Sequence, residues 1–356
     1  MQKQLIYDLD LETLDQIIID SGEPKYRTQQ VWEGVYKKYY QDPTAISNLP
    51  ISFRNSLNEL FSFNSLIPTN EIKSKDGETI KTLFTLPDGN AIEAVMMGYS
   101  NRRTLCISTQ VGCAMGCIFC ATGQMGLTRH LSSGEIIEQV IYYARRLQSS
   151  GQHITNVVVM GMGEPFHNYQ ATMEAIYRLN NPLGFNLGAR RFTISTVGIV
   201  PAIQHFTNDK SQVNLAVSLH AADDNLRSSL VPINRKYPLQ QLMDACQKYV
   251  ESTNRRISFE WALIKGINDS ITDAIKLSNL LQIFRRNGLS FCHVNIIPLN
   301  PTKKYNGYAA SGQKAIEFKD ELERRGYPCT IRLRRGIEIH AGCGQLAVYQ
   351  NIKDRI

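Results

Sequence analysis

Three cysteines fall within eight residues in the run Cys113-Ala-Met-Gly-Cys117-Ile-Phe-Cys120. Thiolates in one short loop can each bind one iron of a cubane 4Fe-4S cluster, and three of them leave the fourth iron open to a small ligand. A structural zinc site is the plainer alternative. It wants four protein ligands in a tetrahedron, the fourth coming from Cys106 or from far along the chain. The remaining cysteines are 246, 292, 329 and 343, eight in all. An even count is compatible with disulfides, but clustering in a chain of 356 residues reads as intracellular metal or redox chemistry. Cys246 and Cys292 sit in apolar helix and strand patterns and read as core thiols. Cys343 has glycine on both sides, in His340-Ala-Gly-Cys-Gly-Gln-Leu346, the mark of a flexible, accessible loop. Cys106 is either a core thiol or a reactive one.

The elements that must position these residues alternate. Strand-like runs are expected at 103–109, 155–160, 192–196, 213–219, 256–263, 292–298 and 330–334. Amphipathic helices are expected near 133–148, 169–179, 238–252, 271–286 and 311–325. The first helix opens with a capping box, Ser132-x-x-Glu135. Apolar strands alternating with helices predict an α/β fold with a parallel sheet, a partial (β/α)6 barrel rather than a closed eightfold one. Four regions follow: a small helical N-terminal accessory domain at 1–70, a strand-rich linker at 71–98, the barrel at 99–336, and a C-terminal loop with Cys343 at 337–356.

Ligands of such barrels bind at the strands' C-terminal ends. There the sequence places Gly163 and Glu164 in Gly161-Met-Gly163-Glu164-Pro165, Ser195 after 192–196, Ser218-Leu219-His220 after 213–219, and Asn300 after 292–298. Glu164 can accept from an ammonium group. Each alone also reads as a turn or cap residue.

The net charge is +7 and the pI about 8.9, which suits a nucleic-acid partner as well as it suits an ordinary basic enzyme. The N-terminal helices mix basic and aromatic residues, Lys25, Tyr26, Arg27, Lys37, Lys38, Tyr39 and Tyr40, as phosphate contact with base stacking requires; a solvated face over core aromatics is the alternative. No apolar run reaches the ~18 residues of a membrane helix, and the first residues lack a signal's apolar centre. A cytoplasmic protein with no membrane partner is expected.

The C-x3-C-x2-C spacing, with Phe119 before the last cysteine, resembles the signature of radical S-adenosylmethionine (SAM) enzymes. The run from Thr104 to Gly126, together with MGMGEP, Ser218-Leu-His220, Val231-Pro-Ile-Asn234, Ile297-Pro-Leu-Asn-Pro301 and Ala341-Gly-Cys-Gly-Gln-Leu346, resembles the RlmN/Cfr family of RNA adenine methyltransferases over nearly the whole chain. Gly163-Glu164-Pro165 and Arg334-Arg335-Gly336 are closer to its RlmN branch.

The resemblance implies methylation at C2 of an adenine in 23S rRNA, and in certain tRNAs, with Cfr-type C8 methylation as the alternative. It implies a 4Fe-4S cluster on Cys113, Cys117 and Cys120, and SAM held by Gly163, Glu164, Ser195, Ser218, Leu219, His220 and Asn300. Two SAM molecules are used per turnover. Cys343 carries the methyl group, its thiolate aided by nearby positive charge such as Arg334. Glu93 takes the C2 proton, although on residue pattern alone it is an exposed strand carboxylate. Cys106 releases the product by forming a disulfide with Cys343. An electron donor such as flavodoxin or ferredoxin completes the partners. The competing reading from another class is a non-catalytic, metal-stabilised RNA-binding protein.

Overall fold

The computed structural model describes residues 3–286 and 288–347. The last part of the expected C-terminal loop, 348–356, lies outside the described residues.

The chain begins with three helices, α1 (Leu11–Asp20), α2 (Tyr26–Tyr36) and α3 (Ile51–Leu60). They close over Tyr7, Trp32 and Tyr36, all of them buried. This unit is fastened to the outside of the barrel by polar contacts. Asp8 accepts from the Gly134 amide (2.7 Å), and the Arg145 guanidinium donates to the Tyr39 carbonyl (2.8 Å). The buried Glu138 accepts from the Ser65 and Leu66 amides.

Three antiparallel strands follow, β1 (Ile67–Lys73), β2 (Thr79–Thr85) and β3 (Ala91–Tyr99). They form the strand-rich segment expected at 71–98, which begins earlier, at Ile67. The added strand β1 has a mostly exposed face, so no apolar alternation announces it.

β3 pairs with β4 (Arg102–Cys106), where the parallel barrel begins. Its further strands are β5 (Asn156–Val159), β6 (Phe192–Thr196), β7 (Asn214–Ser218), β8 (Ile257–Leu263), β9 (Cys292–Pro298) and β10 (Cys329–Ile331). Each pairs in parallel with the next, so the ten strands form one sheet in the order β1 to β10. The crossovers carry α4 (Ser133–Gln148), α5 (Tyr169–Asn180), α6 (Val200–Asn208), α7 (Asp224–Leu230), α8 (Leu239–Thr253), α9 (Ile271–Leu280) and α10 (Gly312–Arg324). Six βα units and a short seventh strand make the open barrel. Its α/β class and helical N-terminal accessory unit are as the sequence predicts.

The capping box of α4 forms as read from the sequence. Strand 103–109 is shorter than expected: β4 ends at Cys106 because the Gln139 side chain takes both main-chain groups of Ser108. The chain then turns into a small hairpin, Gln110–Cys113 against Gly126–His130. This hairpin carries the cysteine loop.

Candidate active site

The cysteine loop is fixed by its backbone. Gly112 has φ +75°, and a Cβ there would collide with the Gly126 carbonyl oxygen, so the hairpin can close only with glycine at this position. Beyond it, Cys113, Cys117 and Cys120 face a cavity of about 150 Å³ at the C-terminal ends of the barrel strands. Burial pushes the thiols of Cys113 and Cys117 up, Cys113 to about 12. Thiols in such a place ionise when a metal displaces their protons. Among the described residues no three His, Cys, Asp or Glu side chains close on a point that could hold a single metal ion. Three thiolates in one loop at a cavity wall are the donor set of a cubane with an open iron; the fourth cysteine lining the cavity, Cys343, comes from a different loop.

The opposite wall holds the strand-end residues. Gly163, Glu164, Ser195, Ser218, His220 and Asn300 all line this cavity. Gly163 lies at φ +104° with Gln110 packed where a Cβ would be, 2.6 Å away. Glu164 is buried and accepts from the Phe166 and Val197 amides, both at 2.9 Å. Burial outweighs those bonds and raises its carboxyl to about 7. Each oxygen keeps a lone pair for a further donor. The Ser195 and Ser218 hydroxyls are 3.4 Å apart. His220 accepts at Nδ1 from the Ala262 amide (2.9 Å), which puts its proton on Nε2. Burial lowers its pKa to about 3, so the ring is neutral. Leu219 does not line the cavity. It is fully buried, and its carbonyl accepts from the Arg227 guanidinium at 3.1 Å.

Cys343 stands where this cavity meets a second, larger one of about 1120 Å³. Its loop is strapped across the cysteine loop. The Ala121 amide donates to the Gly344 carbonyl (2.7 Å), and the Thr122 hydroxyl donates to the Leu346 carbonyl (2.6 Å). Asn300 donates to the carbonyl of Cys343 itself (3.0 Å). The sulfur is exposed and accepts from Arg332 Nη1 at 3.4 Å.

Residues 107–278 match the radical SAM superfamily, and residues 5–62 match the N-terminal domain of the ribosomal RNA large subunit methyltransferase. A probable dual-specificity RNA methyltransferase RlmN of Chloroflexus aurantiacus is 44% identical, over 98% of this chain and 93% of that protein. A dual-specificity RNA methyltransferase RlmN 1 of Myxococcus xanthus is 45% identical, over 96% of this chain and 93% of that protein. The chain belongs to the RlmN family. A solved radical SAM methyltransferase from Sphaerobacter thermophilus has the same fold, with a TM-score of 0.93 and 47% identity. That likeness covers 96% of this chain and 99% of the solved one.

RlmN enzymes are radical SAM RNA methyltransferases, and several sequence readings need adjustment on this member's structure. Arg334 does not reach Cys343; its guanidinium donates to the Leu299 carbonyl. Arg332, two residues earlier and on the same side of the extended chain, is the cation beside the sulfur. Glu93 is not an exposed strand carboxylate. It is buried, pairs with Lys81 (3.0 Å) and accepts from the Ala347 amide (3.1 Å). Glu93 lines neither cavity.

Cys106 is buried, lines the larger cavity with Cys343, and is not bonded to it, all eight cysteines being free. Burial, and after it the neighbouring Cys343, pushes the Cys106 thiol to about 12, while Arg332 pulls the other way. Two residues escaped sequence reading. Glu260, mid-strand in β8, lines both cavities with Oε2 unpartnered by any hydrogen bond. Arg227 is fully buried beneath His220 and Ser218. No helix among the described residues is long and apolar enough to cross a membrane.

Proposed function

We propose that this RNA methyltransferase acts on C2 of an adenine in 23S rRNA and in certain tRNAs, relaying the methyl group through Cys343. The observation that carries the reading is the position of Cys343, exposed at the junction of two cavities. One is walled by the cysteine triad and Glu164, and the other contains Cys106. The dual-specificity label of the relatives supports two RNA classes. Those relatives do not point to the C8-methylating branch.

Adenine C2 is electron-poor and cannot attack a methyl sulfonium. A thiolate can, and Cys343 in its loop is the exposed one. Cys113, Cys117 and Cys120 would hold the cluster. Glu164 would receive the SAM ammonium, with Gly163, Ser195, Ser218, His220 and Asn300 around it and Leu219 supporting through its backbone. Cluster and SAM together supply a carbon radical able to take hydrogen from a methyl group. Two SAM molecules are consumed per turnover in this scheme, with flavodoxin or ferredoxin as electron source.

The chain's own part is thiol chemistry. The Cys343 sulfur gains a methyl carbon; once that carbon has lost a hydrogen atom it joins C2 of the base, and the adduct gives up its odd electron, back to the cluster. Glu93 accepts the C2 proton. Its support is that it is anchored, through Ala347, on the loop carrying Cys343, and the role requires that loop to move. The Cys106 sulfur then attacks the Cys343 sulfur. A sulfur–sulfur bond forms, the sulfur–carbon bond breaks, the electron pair leaves with the methylene carbon, which takes up a proton to become methyl, and an external thiol reductant resets the disulfide.

The test is mass spectrometry of nucleosides from 23S rRNA and tRNA treated side by side. 2-Methyladenosine in both is expected. 8-Methyladenosine would replace the C2 assignment, and no methylated adenosine, with zinc in place of iron, would return the protein to the RNA-binding class.

A further inference from the structure

The larger cavity runs the length of the barrel. It is lined at one end by Asn156, Thr193, Asn214, Ser258 and His293, at the beginnings of five neighbouring strands, and at the other by Cys343. Closed eightfold barrels fill that interior with layers of side chains. Here it is open and strongly basic, with seven arginines on its wall against one carboxylate, Glu260. We propose that the RNA enters through this N-terminal mouth, and that Arg190, Arg255 and Arg256 hold the phosphates flanking the target nucleotide. The proposal rests on RNA being the substrate and adds the route by which it reaches Cys343.

The three arginines form one rim. Arg190 precedes β6, Arg255 and Arg256 precede β8, and β7 lies between them. Their partners are neutral. Arg190 and Arg255 both donate to the Gln212 side-chain oxygen, at 3.2 and 3.0 Å, and Arg255 also donates to Asn214 Oδ1 at 2.9 Å. None of the three is in an ion pair among the described residues, and Arg190 and Arg256 are exposed. Three basic residues of the N-terminal helices differ: Lys25 pairs with Asp15 (2.8 Å), Lys37 with Glu33 (3.2 Å) and Arg27 with Glu23 (3.7 Å). Charge that is already neutralised has little left for a phosphate. Guanidinium forks without a carboxylate partner, gathered at the rim of a basic cavity, attract and orient one.

The cavity gives a base unstacked from its helix a continuous route inward. From the start of β8 to Glu260 is three residues, about 10 Å. Glu260 is 3.7 Å from Arg332, which touches the Cys343 sulfur. The rim and the Cys343 sulfur are thus joined by one line of polar side chains, Glu260 and Arg332, along the wall of a single cavity.

The test is RNA binding by the iron-loaded enzyme, read by fluorescence anisotropy on a labelled RNA hairpin with an unpaired loop adenine, across a salt series. The triple variant R190Q/R255Q/R256Q is expected to bind roughly tenfold or more weakly, and its log–log salt slope to flatten by about 2, at ~0.7 per single-strand phosphate contact. The corresponding triple lysine variant should regain most of the slope, because charge rather than shape sets it. Iron content and melting temperature report folding. Arg256→Gln alone, at an exposed position, should flatten the slope by about 0.7 even where the triple variant folds poorly. Wild-type affinity and slope in the glutamine variants, from an enzyme that still methylates RNA, overturn the entry route alone. A wild-type enzyme that neither binds nor methylates RNA overturns the substrate reading and this proposal with it.

Discussion

Arg332 places Nη1 3.4 Å from the sulfur of Cys343. The Cys343 charge, more than any other neighbour, holds that guanidinium protonated, and Glu260, 3.7 Å away, adds to it. The contact makes Arg332 the side chain whose removal should be felt first at that sulfur. Replacing Arg332 with Gln should slow alkylation of Cys343 by iodoacetamide about tenfold at neutral pH, with lysine recovering part of the rate. An unchanged alkylation rate in Arg332→Gln, followed by peptide mass spectrometry, would separate the contact from the chemistry.

Cys343 and Cys106 have different places and should fail differently. Cys343 is exposed at the junction of the two cavities, and Cys106 is buried in the wall of one. Cys343→Ala should lose RNA methylation while keeping its iron. Cys106→Ala should stall after carbon–carbon bond formation, with RNA covalently attached through Cys343. A denaturing gel with labelled RNA reads the difference. Full methylation by Cys343→Ala, or no retained RNA with Cys106→Ala, would remove the relay.

Glu164 gives the site a pH dependence with a definite sign. Burial raises its carboxyl to about 7 from an ordinary value near 4.5. Between those values the folded protein binds a proton that the unfolded chain does not. This carboxyl's contribution to stability is therefore greatest below pH ~4.5 and declines as pH rises toward 7. Ammonium binding needs the ionised form, so SAM affinity should run the other way, falling up to about tenfold per pH unit below 7. Calorimetric titration of SAM from pH 6 to 8 is the check. Glu164→Gln should be weak and flat across that range, and a wild type equally flat would remove Glu164 from the SAM site.

Much of this site is written locally. The triad, Gly163-Glu164 and the Gly-Cys343-Gly loop are short-range patterns, and strand ends follow once strands such as 192–196 and 292–298 are read from their apolar runs. What the sequence hides is long-range or breaks a local rule. Helix α6 has no counterpart among the expected helices; its Pro201 occupies the first turn, where a missing amide costs nothing. Arg332 and Arg334 lie two apart on an extended chain, so choosing between them requires knowing where Cys343 returns. Glu93 reads as a surface carboxylate because its partner Lys81 and the Ala347 amide come from other elements. Glu260 sits among apolar residues in Ile257–Leu263, and only barrel closure shows that its side chain points into the bore.

Arg227 is the clearest case of a residue legible only in the fold, and it supports the last prediction. In Asp-Asn-Leu-Arg-Ser-Ser-Leu it looks like a solvated helix charge, yet it is fully buried. It bonds the carbonyls of Leu219 (3.1 Å), Val197 (2.6 Å) and Ser218 (3.2 Å) and the Asn234 side chain (2.8 Å). Burial lowers its pKa to about 10, still far above neutral, so the charge is kept. The Leu219 and Ser218 carbonyls belong to the strand end that carries Ser218 and His220, and the Val197 carbonyl follows the neighbouring strand that carries Ser195. Replacing Arg227 with Met leaves several buried acceptors without donors, at about 1–3 kcal/mol each before relaxation. A net loss of about 3–5 kcal/mol is expected. Urea unfolding should show the midpoint falling with little change in slope. SAM binding should weaken even under conditions where the variant is folded, because the floor beneath Ser218 and His220 is no longer held. A stable variant with normal SAM affinity would show that water replaces the guanidinium without consequence.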